Sequence, residues 1–216
     1  MQITIREPGS AITHYIGMML AIFAAVPLLT KAGLSENMPC IVSFTIFMCS
    51  MILLYGASTL YHTVNLKGKA LKLFKKLDHM MIFVLIAGTY TPVCVMVLGG
   101  KMGYSLLALV WGIAVIGMII KAFWVTCPKW FSSLIYIAMG WVCVLVFKPL
   151  WNAMPHSAFL WLLIGGIIYT IGGVIYALKL PVFNAKHKYF GSHEIFHLFV
   201  MGGSICHFIF MYFYVV

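Results

Sequence analysis

The chain has 216 residues, of which 63% are hydrophobic and only 8% charged, and its mean hydropathy is +1.05. A soluble domain of this length could not cover so much apolar surface, so the composition excludes a soluble globular protein and predicts an integral membrane protein. The formal charge of +10 does not indicate nucleic-acid binding, because the lysines fall in short connections between apolar runs, where they set orientation and contact lipid headgroups.

Seven apolar runs follow one another along the chain, and each is close to the length of about 20 residues that a membrane-spanning helix needs. The predicted spans are 11–29, 40–61, 79–98, 103–124, 132–147, 158–178 and 194–216. The runs are continuous rather than alternating, which excludes an outer-membrane barrel. The first run is too long for a signal-peptide core and is taken as a span. The connections are short, so the sequence predicts one all-α domain over residues 1–216, a seven-transmembrane helix bundle.

Basic residues are divided unevenly between the two sides of the predicted bundle. Most of them lie in the N-terminus and in the second, fourth and sixth connections. The excess of basic residues on the cytoplasmic side of membrane proteins therefore predicts a cytoplasmic N-terminus, an outside C-terminus and a multi-pass protein of the inner cell membrane. The lysine-rich second connection, residues 63–78, also carries apolar residues at helical spacing. It fits either a short helix in the headgroup layer, bound to anionic lipid, or a solvated loop.

The cysteines form no CxxC pair and lie mostly within or beside the apolar runs. They are Cys40, Cys49, Cys94, Cys127, Cys143 and Cys206. This distribution indicates free buried thiols rather than a disulfide framework or a thiolate metal site.

The stretch Ser-His-Glu-Ile-Phe-His at residues 192–197 precedes the last apolar run. On a helix, His193 and His197 stand one turn apart on one face and can chelate one metal ion. The predicted orientation brings His62, at the end of the second span, and Asp78, at the start of the third, to the same membrane depth. A catalytic zinc site needs three protein ligands, so we expect Zn²⁺ on His62, His193 and His197.

Coordination chemistry suggests roles for the neighbouring polar residues. Three imidazoles leave one position of a tetrahedral zinc ion open for water, whose pKa falls towards about 7. Asp78 suits a general base that contacts the ion through this water. Ser58, one turn before His62, is expected either to hydrogen-bond Asp78 or a substrate oxygen, or to pack between helices. His14, in the first span, is expected to support the ligands from outside or to form a hydrogen bond within the bundle.

The remaining histidines are not expected to bind the ion. His79 should point about 100° away from the acidic residue before it. His207 lies about 21 Å beyond His193 along a helix, so a structural hydrogen bond is expected for it. His156 and His187 are expected in loops.

Three blocks of sequence carry a resemblance to a known family: residues 57–62, residues 77–79 continuing into 87–92, and residues 193–197 continuing into 202–208. In these blocks the chain resembles hemolysin III and, more distantly, the progestin and adipoQ receptor family; Thr13-His14 sits where that family has a similar polar pair. The resemblance implies a seven-helix bundle with an intramembrane zinc near the cytoplasmic face, held by His62, His193 and His197. It places Asp78 and Ser58 near the bound water, and it relates the chain to alkaline ceramidases, which look like zinc-dependent amide hydrolases of lipids.

Three functional hypotheses follow. The first is a zinc-dependent intramembrane hydrolase of a lipid amide or ester, or a lipid-sensing regulator of membrane properties built on the same site, with membrane lipid as substrate or ligand. The second is a non-enzymatic, hemolysin-like pore or receptor-like protein with a structural zinc. Glu194 completes a His-Glu-x-x-His pattern, so the third is an intramembrane zinc metalloprotease. Otherwise Glu194 is a favourable charge in the first helical turn.

Overall fold

The computed structural model describes residues 5–178, 187 and 189–216, and all regular structure in these residues is helical. Seven of the described helices are long and apolar enough to cross a membrane. They are Pro8–Leu34, Met38–Thr63, Gly68–Leu98, Gly100–Phe123, Lys129–Ala153, His156–Leu178 and Ser192–Val215. The all-α fold with seven spans is therefore confirmed, whereas the orientation in the membrane stays a prediction.

Four of the spans are single α-helices: α1 (Pro8–Leu34), α2 (Met38–Thr63), α4 (Gly100–Phe123) and α7 (His156–Leu178). Two others end in a π-helical turn, namely α3 (Gly68–Pro92) in Val93–Leu98 and α8 (Ser192–Phe210) in Met211–Val215. The fifth span is divided into α5 (Lys129–Gly140), a 3₁₀ segment (Trp141–Val146) and α6 (Phe147–Ala153).

The largest difference from the predicted spans is at the start of α3. The lysine-rich stretch is the first part of the spanning helix, which begins at Gly68, and not a separate surface helix or a loop. Residues 69–91 contain one glycine and no proline, so nothing in the sequence strongly opposes a continuous helix there. His156, expected in a loop, is the first residue of α7, and His187 is an exposed residue outside the described helices.

Six of the described spans form a ring, and the remaining one, α4, lies outside it. Helix α1 packs against α2 and α8, α2 packs against α3, and α5 and α7 lie between α3 and α8, while α4 packs mainly on the outer side of α3. The helices alternate in direction, so the starts of α1, α3, α5 and α8 meet the ends of α2, α4 and α7. We call this end of the bundle the site end.

Small residues allow α7 and α8 to approach closely. A Cβ atom at Gly165 would lie 2.5 Å from the ring of His207, and one at Gly203 would lie 2.8 Å from the ring of Tyr169. Both distances are too short for real contacts, so each glycine is needed for this helix spacing. Close packing of this kind drives helix association in lipid, where apolar burial gives little driving force.

A small polar cluster joins three helices inside the bundle. The Tyr55 hydroxyl on α2 donates to Ser204 Oγ on α8 over 2.7 Å, and Tyr169 OH on α7 lies 2.8 Å from the same oxygen. Such interhelical hydrogen bonds add stability in a membrane interior. As predicted, all six cysteines are free, and only Cys49 is exposed.

Candidate metal centre

Three histidines from two helices converge at the site end. His62 lies near the end of α2, and His193 and His197 lie in the first two turns of α8. One ring nitrogen of each lies within 4.8 Å of the other two, and His62 and His197 are 2% and 1% exposed. The Nε2 atoms of His62 and His193 are 3.2 Å apart, near the separation of about 3.3 Å for two nitrogens bound at about 2.0 Å to one tetrahedral zinc ion. The donor set and its spacing therefore fit Zn²⁺.

Glu7, the residue before α1, fixes the orientation of His62. Its Oε2 accepts a hydrogen bond from His62 Nδ1, and its backbone N–H donates to the His62 carbonyl over 3.0 Å. With the proton on Nδ1, the lone pair of Nε2 faces the other histidines. The hydrogen bond to His62 lowers the pKa of Glu7 below its usual range. A carboxylate behind a ligating imidazole is the common arrangement at metal sites, where it raises the basicity of the ligand.

Thr13 on α1 fixes the orientation of His197. The Thr13 hydroxyl donates to the Ser10 and Gly9 carbonyls, at 3.0 and 3.1 Å, and its oxygen lies 2.9 Å from His197 Nδ1. Since the hydroxyl hydrogen is already used, this oxygen accepts from Nδ1–H and leaves Nε2 of His197 free to bind an ion. Nδ1 of His193 has no hydrogen-bond partner among the described residues.

Glu194 has a structural role at the start of α8. Its Oε2 accepts from the Gly191 backbone N–H over 2.8 Å, and its Oε1 accepts from the hydroxyl of Ser10 on α1. The carboxylate therefore closes the first turn of α8 and joins it to α1. Both of its oxygens are engaged outside the group of three histidines, so the geometry gives no support to the general-base role that a metalloprotease would require.

A cavity adjoins His193 and His197, and three other predicted site residues line it: Asp78, Ser58 and His14. All three are buried. The Asp78 Oδ2 atom lies 3.2 Å from Nδ1 of His79, so His79 contacts the acid from which it was expected to point away. Ser58 Oγ has no hydrogen-bond partner in the described part of the chain, so the predicted bond between Ser58 and Asp78 is not formed. The Ser58 hydroxyl can therefore bind a ligand atom.

His14 contacts the site by stacking. Its ring lies flat on the ring of His197, with centroids 3.5 Å apart and planes inclined by 9°. Neither ring nitrogen of His14 has a hydrogen-bond partner within residues 5–178, 187 and 189–216. The hydrogen bond expected for this residue is thus absent, and its ring instead limits rotation of His197.

The cavity extends from His193 and His197 deep into the bundle between α1, α2, α3, α5, α7 and α8. Its walls are mainly aliphatic and aromatic, with Ile82, Tyr90, Trp141 and Val200 among them. It reaches His207, 14 residues beyond His193 on the same helix, which corresponds to about 21 Å. That depth exceeds half of the hydrocarbon core of about 30 Å. Nε2 of His207 lies 3.3 Å from the Leu162 carbonyl, the structural hydrogen bond that the sequence predicts.

Glu7, Ser10 and Thr13 are site residues to which the sequence motifs assign no role, and the family resemblance marks Thr13 only as part of a polar pair with His14. They are three residues apart at the start of α1, so they share one face of the helix, and each contacts a different side chain of the site. The available signal is the three-residue repeat of polar side chains at the start of an otherwise apolar run.

Comparisons with known proteins agree with the resemblance seen in the sequence. A family model described as "Haemolysin-III related" matches residues 2–208. Hemolysin-3 of Bacillus cereus is 41% identical over 210 residues, which cover 97% of this chain and 92% of that protein. The Hemolysin-3 homolog of Bacillus subtilis (strain 168) is 41% identical over 214 residues, 99% of this chain and 96% of that protein. The Progestin and adipoQ receptor-like protein 1 of Caenorhabditis elegans is 26% identical over 226 residues, 94% of this chain and 50% of that protein.

Proposed function

The chain belongs to the haemolysin-III related family of multi-pass membrane proteins, and within this family we propose that it is a zinc-dependent hydrolase that cleaves an amide or ester bond of a membrane lipid. The observation that carries the proposal is the deep apolar cavity that adjoins His193, His197 and Asp78. A purely structural metal site would be closed by packed side chains.

His62, His193 and His197 would hold the zinc ion, since their Nε2 atoms are directed by the hydrogen bonds on Nδ1 or by their mutual spacing. A zinc ion supplies Lewis acidity, which activates water and polarises a carbonyl group. The Asp78 carboxylate, in the wall of the cavity, accepts a proton from the attacking water and returns it to the leaving amine or alcohol. The Ser58 hydroxyl, which has no partner in the described structure, donates a hydrogen bond to the carbonyl oxygen of the substrate.

The shape of the cavity favours a lipid with its scissile bond at the site end and an acyl chain within the bundle. A chain that moves from the bilayer into the cavity gains little from the hydrophobic effect, because it leaves an equally apolar surrounding. Recognition must therefore come from packing against the cavity walls and from polar contacts at the site end. This predicts selectivity for the polar linkage of the substrate rather than for hydrophobicity as such.

The exposed lysines at and just before the start of α3 belong to the same proposal. Lys67, Lys69 and Lys72 are exposed near the site end, where they would contact anionic headgroups at the cytoplasmic face of the cell membrane. A lipid-sensing regulator would use the same cavity without cleaving its ligand, so product formation decides between the two functions.

The test uses purified protein in lipid nanodiscs, with metal analysis and mass spectrometry of lipid products. The substrate panel contains an N-acyl lipid amide and a phospholipid ester. We expect about one zinc ion per chain in the wild type and in Asp78→Asn, and loss of zinc in His197→Ala. His156→Ala, at the opposite end of the bundle, is the matched control and should keep both zinc and turnover.

Asp78→Asn should retain the ion and release no fatty acid. Zinc that stays bound in His197→Ala would contradict the metal site. Zinc in the wild type without product from either lipid would contradict the hydrolase and favour the regulator.

A further inference from the structure

A second cluster of polar side chains lies between α4 and α5, apart from the cavity. Lys121, near the end of α4, is 0% exposed, and its Nζ donates to Cys127 Sγ over 3.0 Å and to Ser132 Oγ over 2.5 Å. The Cys127 sulfur and the Ser132 oxygen are themselves 3.2 Å apart. The amine of Lys121, the sulfur of Cys127 and the hydroxyl of Ser132 are therefore all in contact with one another.

The buried ammonium of Lys121 needs a negative partner. A buried charge without a counter-charge is costly, and no carboxylate of the described residues lies within ion-pair distance of Lys121. The ring of Tyr136 lies 5.6 Å from Nζ and offers a weaker cation–π contact. Cys127 is the acidic group in direct contact with Nζ, and a thiolate at this position would make the cluster neutral.

The surroundings of Cys127 differ from those of the other cysteines. Burial raises the pKa of the Cys127 thiol, but hydrogen bonds from Lys121 and Ser132 outweigh this effect and lower it overall. Within the described part of the chain, none of the other five sulfurs accepts a hydrogen bond from a lysine or an arginine. Cys127 also lies in the short connection between two spans, 8% exposed and flanked by the exposed residues Thr126 and Pro128.

We propose that Lys121 holds Cys127 as a thiolate and that this makes Cys127 a selective site of oxidation by hydroperoxides at the site end of the bundle. The thiolate sulfur attacks the terminal oxygen of a hydroperoxide, and an S–O bond forms as the O–O bond breaks. The product is a sulfenic acid, and the hydroxide or alkoxide that leaves takes a proton from water. Sulfur loses two electrons and the peroxide gains them. Oxidation of Cys127 does not require the proposed hydrolase activity.

The ionisation state is tested first, by infrared spectroscopy of the S–H stretching band at neutral pH. We expect the spectra of the wild type and of Cys127→Ser to show the same S–H intensity, because a thiolate has no S–H bond. A decrease in S–H band intensity in Cys127→Ser that corresponds to one thiol would show that Cys127 is a neutral thiol in the wild type and would overturn the proposal. This measurement needs no change at Lys121.

Selectivity is tested by treating the protein with hydroperoxide, trapping sulfenic acid with a dimedone probe and measuring the label at each cysteine by mass spectrometry. We expect Cys127 to be labelled first, and Lys121→Met to slow its labelling by at least about fivefold. Lys148→Met, an exposed lysine on α6, is the matched control and should leave the rate unchanged. Labelling of Cys127 that is no faster than that of Cys143, or that is unaffected by Lys121→Met, would refute the proposal. Comparing hydrogen peroxide with a fatty-acid hydroperoxide identifies whether the oxidant reaches Cys127 from water or from lipid.

Discussion

The carboxylate of Glu7 permits a quantitative test of the metal centre. Glu7→Gln keeps the shape of the side chain but removes the charge that receives the Nδ1–H of His62. The backbone N–H of residue 7 still donates to the His62 carbonyl, so the start of α1 should keep its position. The substitution should therefore weaken His62 as the proposed metal ligand without removing its ring.

The expected size of the effect follows from the exposure of Glu7. Removing an outer carboxylate from a metal-bound histidine typically reduces metal affinity by about 10–100-fold. The Glu7 side chain is 46% exposed, so solvent screens part of the electric field of its carboxylate. The lower end of the range of affinity loss therefore applies. We expect zinc affinity to fall by about tenfold, which is about 1.4 kcal/mol.

The assay is competition for zinc between the purified protein and a chelator of known affinity. Glu36→Gln is the matched control, because it makes the same chemical change at an exposed residue in the connection between α1 and α2 at the other end of the bundle. Its zinc affinity should equal that of the wild type. An unchanged affinity in Glu7→Gln would mean that the contact between Glu7 and His62 does not support a metal ligand, and the reasoning would fail.

Three further substitutions test the packing around the site. Glu194→Gln should lower the free energy of unfolding by about 0.5–2 kcal/mol because it weakens the helix cap. The measurement is thermal unfolding in detergent. A large loss of zinc affinity with unchanged stability would contradict the structural role of Glu194. Gly165→Ala should destabilise by about 1–3 kcal/mol because its Cβ meets the ring of His207 at 2.5 Å; the matched control Gly166→Ala, which has open space at this position, should show a much smaller change. Tyr55→Phe should cost about 0.6 kcal/mol in the same unfolding assay by removing one interhelical hydrogen bond, and greater stability in this variant would count against the polar cluster.

The convergence of the histidines could be predicted because the lengths of the apolar runs fix the membrane depth of each helix end. His62, His193 and His197 are separated by up to 135 positions in sequence, yet counting spans brings them to one end of the bundle. The partners of these histidines could not be predicted in the same way. Which side chains of α1 meet His62 and His197 depends on the rotation of α1 about its axis, and a helix that is apolar on nearly all sides encodes that rotation weakly.

The start of α3 shows a second limit of prediction from the sequence. Apolar residues at helical spacing among lysines are equally compatible with a helix on the membrane surface and with the extension of a spanning helix. The sequence on both sides of Asp78 favours helix, but only the packing of the neighbouring spans determines whether the two segments share one axis. The structure has a single helix from Gly68 to Pro92, which places the exposed lysines at the edge of the site rather than in a separate element.

The first two turns of α1 and the proposed metal ion act on the same pair of helices. Glu7 binds the end of α2, whereas Ser10 and Thr13 bind the start of α8, and a zinc ion on His62, His193 and His197 would join the same two helix ends. In lipid, apolar burial gives little force to hold these ends together, so directed polar contacts must do it. A ligand that binds only the assembled arrangement stabilises it by mass action. The polar residues at the start of α1 therefore have two effects that cannot be separated: they select the ring nitrogen of His62 and of His197 that would face the proposed ion, and they hold the ends of α2 and α8 together.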